Sequence, residues 1–333
     1  MKINKNIKIF FNYFFAPLLF LWLGWSIYHQ IRRQPDLVES WVRVRETLQA
    51  TGFYYLALVL LLMLCNWGLE SYKWQLAVKQ VQKVGFLRAN MAVFAGVAFS
   101  ITTPNRIGEY AGRVLYLNEG NKIKAVSPTI VSSLSQLIIT ILMGLLALFF
   151  MHKKMIASGI LSPIWYQTIF FSTFAGLGIL TLFYFRLAWL VKIIDNLPAF
   201  RKYRWVLEAL EKFDATLLLR FLSISAGRFV IFICQYFLLF HLFGVEVDFW
   251  QAWMTLSVMF LIMALIPTIA LFTDLGLKNE ISLKLLGLYS ANHLGISLTS
   301  LSIWFINLVI PAIIGSLLIL GIHKIFKNNY ENA

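Results

Sequence analysis

ITTPNRIGEYAGRVLYL, residues 101–117, interrupts an otherwise apolar region and gathers its unusual chemistry into one place. An apolar run over residues 86–100 leads into it, and another begins near Ala125. Between them stand Pro104, Arg106, Gly108, Glu109, Gly112 and Arg113. Pro104 ends the incoming helix because it lacks an N–H and clashes with the preceding turn. The glycines let the backbone bend or pack closely. If Arg106 opens a helix, Glu109 follows three residues later and Arg113 four after that, so the charges share one face. Facing lipid at mid-membrane, each would cost about 2.5–3.5 kcal/mol, roughly 8–10 together. They therefore pair, face a watery cavity or lie at the interface. An ordinary loop with capping charges would satisfy this. So would a broken or re-entrant segment lining a polar site, which is the reading preferred here. It predicts that residues 104–113 are partly helical and shielded from lipid, with Arg106 and Glu109 within salt-bridge reach of each other or of another polar span.

The flanking sequence sets the class. Hydrophobic residues make up 59% of the chain and charged ones 13%, with a mean hydropathy of +0.74. A soluble domain carries about a quarter charged residues. The apolar runs are continuous, not alternating, which excludes a barrel and leaves helices of roughly 20 residues. The expected fold is an all-α polytopic integral membrane protein, one transmembrane domain over residues 1–333. About eight transmembrane helices are expected, near residues 9–28, 53–70, 86–103, 125–151, 164–185, 221–243, 249–266 and 298–322. The first follows Lys2, Lys5 and Lys8 and ends at His29, Arg32 and Arg33 without a small-residue cleavage site, so it reads as a retained helix. Residues 32–50, with Trp41, suit a helix lying on the membrane surface.

A net charge of +14, from 29 Lys and Arg against 15 Asp and Glu, would suggest nucleic acid in a soluble protein. Here the basic residues sit in short connections beside lipid phosphates, so membrane lipids are the expected partners and nucleic acid is not. Residues 186–220 hold seven Lys or Arg and four acids around an amphipathic pattern that Pro198 ends. They oppose residues 73–88 and 152–154 across the membrane, so the positive-inside rule pulls both ways; a cytoplasmic N-terminus is expected. Cys65 and Cys234 fall in apolar runs, where a thiol acts as a small hydrophobe, and no metal or cofactor is expected.

Further candidates lie along the spans. Asn66, Glu70, Lys73 and Trp74 close the second, with Glu70 and Lys73 one turn apart. Ser127, Ser132, Ser133, Ser135 and Gln136 open the fourth and read as glue between helices. Arg228 in the sixth is either a ligand or a side chain snorkelling to the near interface, and the sequence leaves both open. After the seventh come Pro267 and TIALFTDLGLKNE, with Asp274, Gly276, Lys278 and Glu280. Pro311 is expected to kink the last span. An apolar helix, a proline, then Gly and Glu thus occur at residues 104–109 and again at 267–280. This is a weak internal repeat, with halves at about residues 1–151 and 152–333, and such segments are expected to meet at one site.

Pro104, Arg106, Gly108 and Glu109, placed after a third span, resemble the P-x-R-x-G-E signature of the lysylphosphatidylglycerol synthase transmembrane-region family, also described as flippase-like. Lys73-Trp74 is similar to a basic-Trp pair common there, and Pro267, Gly276 and Glu280 resemble its looser second motif. Two departures stand out: Ser133-Leu134-Ser135-Gln136 where many relatives look more charged, and the insertion of TIALFTDL into the second motif. The resemblance implies an inner-membrane protein that moves or handles polar lipids. In multiple peptide resistance factor proteins such a region precedes a soluble aminoacyl transferase, which this chain is expected to lack.

Three functions follow as expectations. The first is a lipid translocase, not an enzyme, for an anionic or zwitterionic headgroup: Arg106 and Arg113 meet its phosphate, and Glu109 holds them in register when the site is empty or binds an amine on the headgroup. Arg228, Asp274, Lys278 and Glu280 complete its candidate binding residues. The second is a membrane transferase on a lipid-linked substrate; its candidate bases, Glu109, Asp274, Glu280 and His293, lie on distant segments with no recognised catalytic spacing. The third is a non-catalytic partner of a lipid-modifying enzyme.

Overall fold

The computed structural model of the chain describes residues 52–101, 107–186, 213–266 and 271–319, with a few single positions outside them. The span expected at residues 9–28, nearly all of residues 32–50 and most of residues 186–220 lie outside the described residues. So do Pro104, Arg106, Pro267 and the side chain of Asp274. Among the described residues the chain is all-α, with nine helices and no strand. They are α1 (Gly52–Val78), α2 (Phe86–Ile101), α3 (Gly108–Val114), α4 (Val126–Ala157), α5 (Pro163–Phe185), α6 (Ala215–Leu242), α7 (Phe249–Leu265), α8 (Leu271–Leu286) and α9 (His293–Trp304). Among the described residues five helical stretches are long and apolar enough to cross a membrane: α1, α4, α5, α6 and His293–Ile319.

Local chemistry explains four of the nine helix starts among the described residues. Asp214 caps α6 by accepting from the Leu217 N–H at 2.7 Å, and Ser162 with Pro163 opens α5. Asp248 and Gln251 form a reciprocal capping box at the start of α7. Asn292 caps α9, and its amide donates to the carbonyls of Phe243 and Gly244 at 3.0 and 2.9 Å. That ties α9 to the α6–α7 turn, where Gly244 supplies a φ of 65°.

Hydropathy misplaces four helix ends: α4 runs on to Ala157, α9 begins at His293, and two others have a clear cause. α1 does not stop at Glu70 but runs on to Val78, because its charges are neutralised inside the fold. α6 begins at Ala215, six residues before the apolar run predicts, because Asp214 supplies the cap.

α2 and α7, 16 and 17 residues long, fall short of the roughly 20 needed to cross a bilayer. Each is followed by a short break and a helix, α3 or α8, that packs against it. The α2–α3 pair is antiparallel: Gly108 lies on the Phe99 carbonyl and Gly112 on that of Ala95. A Cβ at Gly112 would sit 2.6 Å from the Ala95 oxygen and 2.7 Å from the Gly96 Cα, both unyielding backbone. Gly112→Ala should therefore destabilise the protein by about 1–3 kcal/mol. Thermal unfolding in detergent measures this, and an unchanged midpoint would contradict so close an approach.

The core lies where α4 meets α7 and α1 meets α6, while α5 stands at the rim with only Tyr166, Thr173 and Tyr184 buried. Near Pro311 the final helix widens into a π-helical turn at Phe305–Val309. Proline has no N–H for the Asn307 carbonyl, and the Ile310 N–H bonds back five residues to Phe305.

Candidate functional site

One face of α1 carries Asn66, Trp67, Glu70, Lys73 and Trp74 at spacings of three and four residues, and all five are buried. Glu70 is the hub. Its Oε2 lies 3.1 Å from Lys73 Nζ, its Oε1 accepts from Arg113 at 2.7 Å, and Arg228 pairs with Oε2 as well. Arg113 also pairs with Glu109, one turn back on α3. Three cations and two carboxylates from α1, α3 and α6 thus meet among apolar helices. The side chains of Glu70, Lys73 and Arg113 are no more than 5% exposed. Isolated charges could not be held there, so each depends on the others.

A polar frame fixes these groups. Lys73 Nζ donates to Ser225 Oγ at 3.2 Å, and Ser225 and Ser135 are 2.8 Å apart. Ser135 donates to the Ser132 carbonyl at 2.6 Å, so the hydroxyl protons run from Ser225 to Ser135 to backbone. Trp74 Nε1 donates to Thr129 Oγ1 at 3.1 Å. Of the α4 serines Ser135 joins two helices, whereas Ser132 and Ser133 donate to the Thr129 carbonyl of their own helix; Gln136 Oε1 accepts from Arg228 at 3.3 Å. Arg228 Nε donates to Asn66 Oδ1 at 2.7 Å. Because α6 starts early, Arg228 stands thirteen residues from Ala215 and fourteen from Leu242. That is about 20 Å from either helix end at 1.5 Å per residue, too far to snorkel.

Beside this cluster lies a cavity of about 640 Å³. Glu70, Lys73, Glu109, Gln136 and Arg228 line one part of it, and Lys278 of α8 also reaches it. The remaining wall is largely aromatic. Phe260 packs edge-on against Phe229, Phe232 and Tyr236, with centroids 5.8–6.2 Å apart, and all four face the cavity. The volume lies in the range of small-molecule and lipid-headgroup pockets.

The sequence candidates distribute unevenly around this space. Glu109 and Lys278, one from each Pro…Gly…Glu segment, line the same cavity. Arg113 stands behind the lining, joining Glu109 to Glu70. Glu280 is not part of the lining; it pairs at 3.5 Å with the exposed Lys284. Gly276 is buried within α8, and Gly108 seals the α2–α3 approach. Arg106, Pro104 and Pro267 lie outside the described residues, as does the Asp274 side chain. The sequence points to residues 104–113 as the centre; the fold centres on Glu70. Its signal was present as Asn66, Glu70 and Lys73 on one face of an apolar span.

The family model for the lysylphosphatidylglycerol synthase transmembrane region matches residues 16–273. The chain belongs to this family. The match covers Glu70, Lys73, Glu109, Arg113, Gln136 and Arg228, and it ends before Gly276, Lys278 and Glu280. Membership and five long apolar helices together make this a membrane-embedded helical protein of flippase-like type. Among curated proteins, none matches the chain.

Proposed function

We propose that this member of the family translocates phospholipids, receiving the headgroup at the Lys73–Arg228 side of the cavity. The observation that carries the reading is the pairing of that charged side with an aromatic one in a single space of about 640 Å³. The first suits a phosphate and the second the start of an acyl chain. Among the described residues the cluster holds three cations against two carboxylates, and Lys278 adds a further cation to the cavity wall, a balance that favours an anionic phosphodiester. Arg228 already directs its planar donors at Asn66, Glu70 and Gln136, so in this reading phosphate oxygens, which suit the same fork, take over part of that set.

In this reading the chain moves lipid and is not an enzyme. The five long helices, with α2–α3 and α7–α8 each counted as one broken crossing, account for seven of the about eight crossings of the plasma (inner) membrane expected from the sequence. The α2–α3 and α7–α8 connections are its two broken or re-entrant segments, and a lipid-modifying enzyme acting on the same headgroup is the partner it would serve. The test is reconstitution into liposomes holding a fluorescent phospholipid, followed by quenching of the outer leaflet. Faster exchange than in protein-free liposomes is expected. Equal rates in the two preparations, with the protein folded and incorporated, would overturn the translocase reading.

A further inference from the structure

Across the cavity lining, the π-helical turn sets out a polar group that the charged cluster does not use. Asn307 is 7% exposed, lines the cavity, and sits in the Phe305–Val309 turn that packs against α1. Its Nδ2 donates to the Ile303 carbonyl at 3.4 Å, whereas its Oδ1 has no hydrogen-bond partner among the described residues. The opposite amide orientation would set two carbonyl oxygens against each other, so the acceptor is the atom left open. Trp67 repeats the pattern with opposite sign: it is 5% exposed, lines the cavity, and its Nε1–H lacks a partner among the described residues. Buried polar atoms are rarely left unpaired, and those that are mark a ligand or an ordered water. A π turn inserted into an α-helix is often found at a functional site, because the extra residue re-aims a side chain.

We propose that Asn307 is a specificity-determining residue: its Oδ1 accepts a hydrogen bond from a hydroxyl or ammonium on the same ligand whose phosphate meets Lys73 and Arg228. The preferred ligand class is therefore a phosphate ester bearing an O–H or N–H donor on its alcohol, and esters without one bind less well. Trp67 Nε1–H supplies a donor to an ester oxygen of the same ligand. This deepens the headgroup reading above and rests on it only for the lipid tail. Asn307 lies beyond the residues that the family model matches.

The experiment compares binding to the purified full chain of short-chain phosphatidylglycerol, phosphatidylmethanol and sn-glycerol 3-phosphate. The two lipids carry the same charge and differ in the headgroup hydroxyls; the third keeps the hydroxyls without acyl chains. The wild type should prefer phosphatidylglycerol over phosphatidylmethanol by about tenfold, the ratio one hydrogen bond to a buried acceptor supplies. Asn307→Leu, of similar volume, should bind phosphatidylmethanol as the wild type does and lose that preference. Equal wild-type affinity for the two lipids would overturn the proposal and leave the lipid reading standing, with no variant needed. So would an Asn307→Leu protein that keeps the preference. Binding of glycerol phosphate alone, abolished by Asn307→Leu, would uphold the donor contact and overturn the lipid reading.

Discussion

Glu70→Ala should yield almost no folded protein. The substitution leaves Lys73, Arg113 and Arg228 buried around an empty position, with only Glu109 to share among the cluster's cations. Breaking one buried pair costs about 3–5 kcal/mol. Three such losses would approach the roughly 5–15 kcal/mol by which whole domains are stable. Glu70→Gln keeps the shape and one acceptor, so its loss should be smaller though still severe. Pairing it with Arg228→Gln removes one charge of each sign and should recover part of the yield. Size-exclusion profiles and thermal unfolding in detergent read all three. A Glu70→Ala protein that melts with the wild type would show that the three cations are held by something other than this carboxylate.

Arg228→Lys should have the largest effect on function among variants that still fold. Lysine keeps the charge and can stay close to Glu70, but it cannot also direct planar donors to Asn66 and Gln136. Two charge-assisted bonds, each about 1.5–3 kcal/mol, lose their geometry, and a phosphate loses its fork. Lipid exchange in liposomes should fall by about 10- to 100-fold, and the unfolding midpoint should fall as well, because both bonds also hold the fold. Wild-type exchange by Arg228→Lys at equal incorporation would remove the fork from the mechanism and leave Arg228 as a structural counter-ion to Glu70.

Several parts of this architecture are legible one residue at a time. Continuous apolar runs locate the long helices, and Gly108 and Gly112 announce a close backbone approach beside Pro104; the Asp214 cap is not read, so the apolar run alone starts α6 six residues late. Other parts mislead when read locally. A hydropathy window meets Glu70 and Lys73 and ends the helix, although α1 continues two further turns to Val78. Gln136 looks like one more polar residue in a serine stripe, because the arginine it serves lies 92 residues away.

The membrane class, the approximate positions of the spans and the need for charges to be paired follow from the sequence by itself. Transfer free energy accumulates residue by residue, and a charge among apolar neighbours is costly whatever surrounds it. Only the tertiary structure decided which charges answer one another. Glu70 meets Arg113 across 43 residues and Arg228 across 158, and Asn66 meets Arg228 across 162. No spacing rule reaches that far along the chain. Such partners are chosen by which helix faces pack together, through α1 against α6 and α3 folded back on α2, and that choice exists only once the helices have assembled.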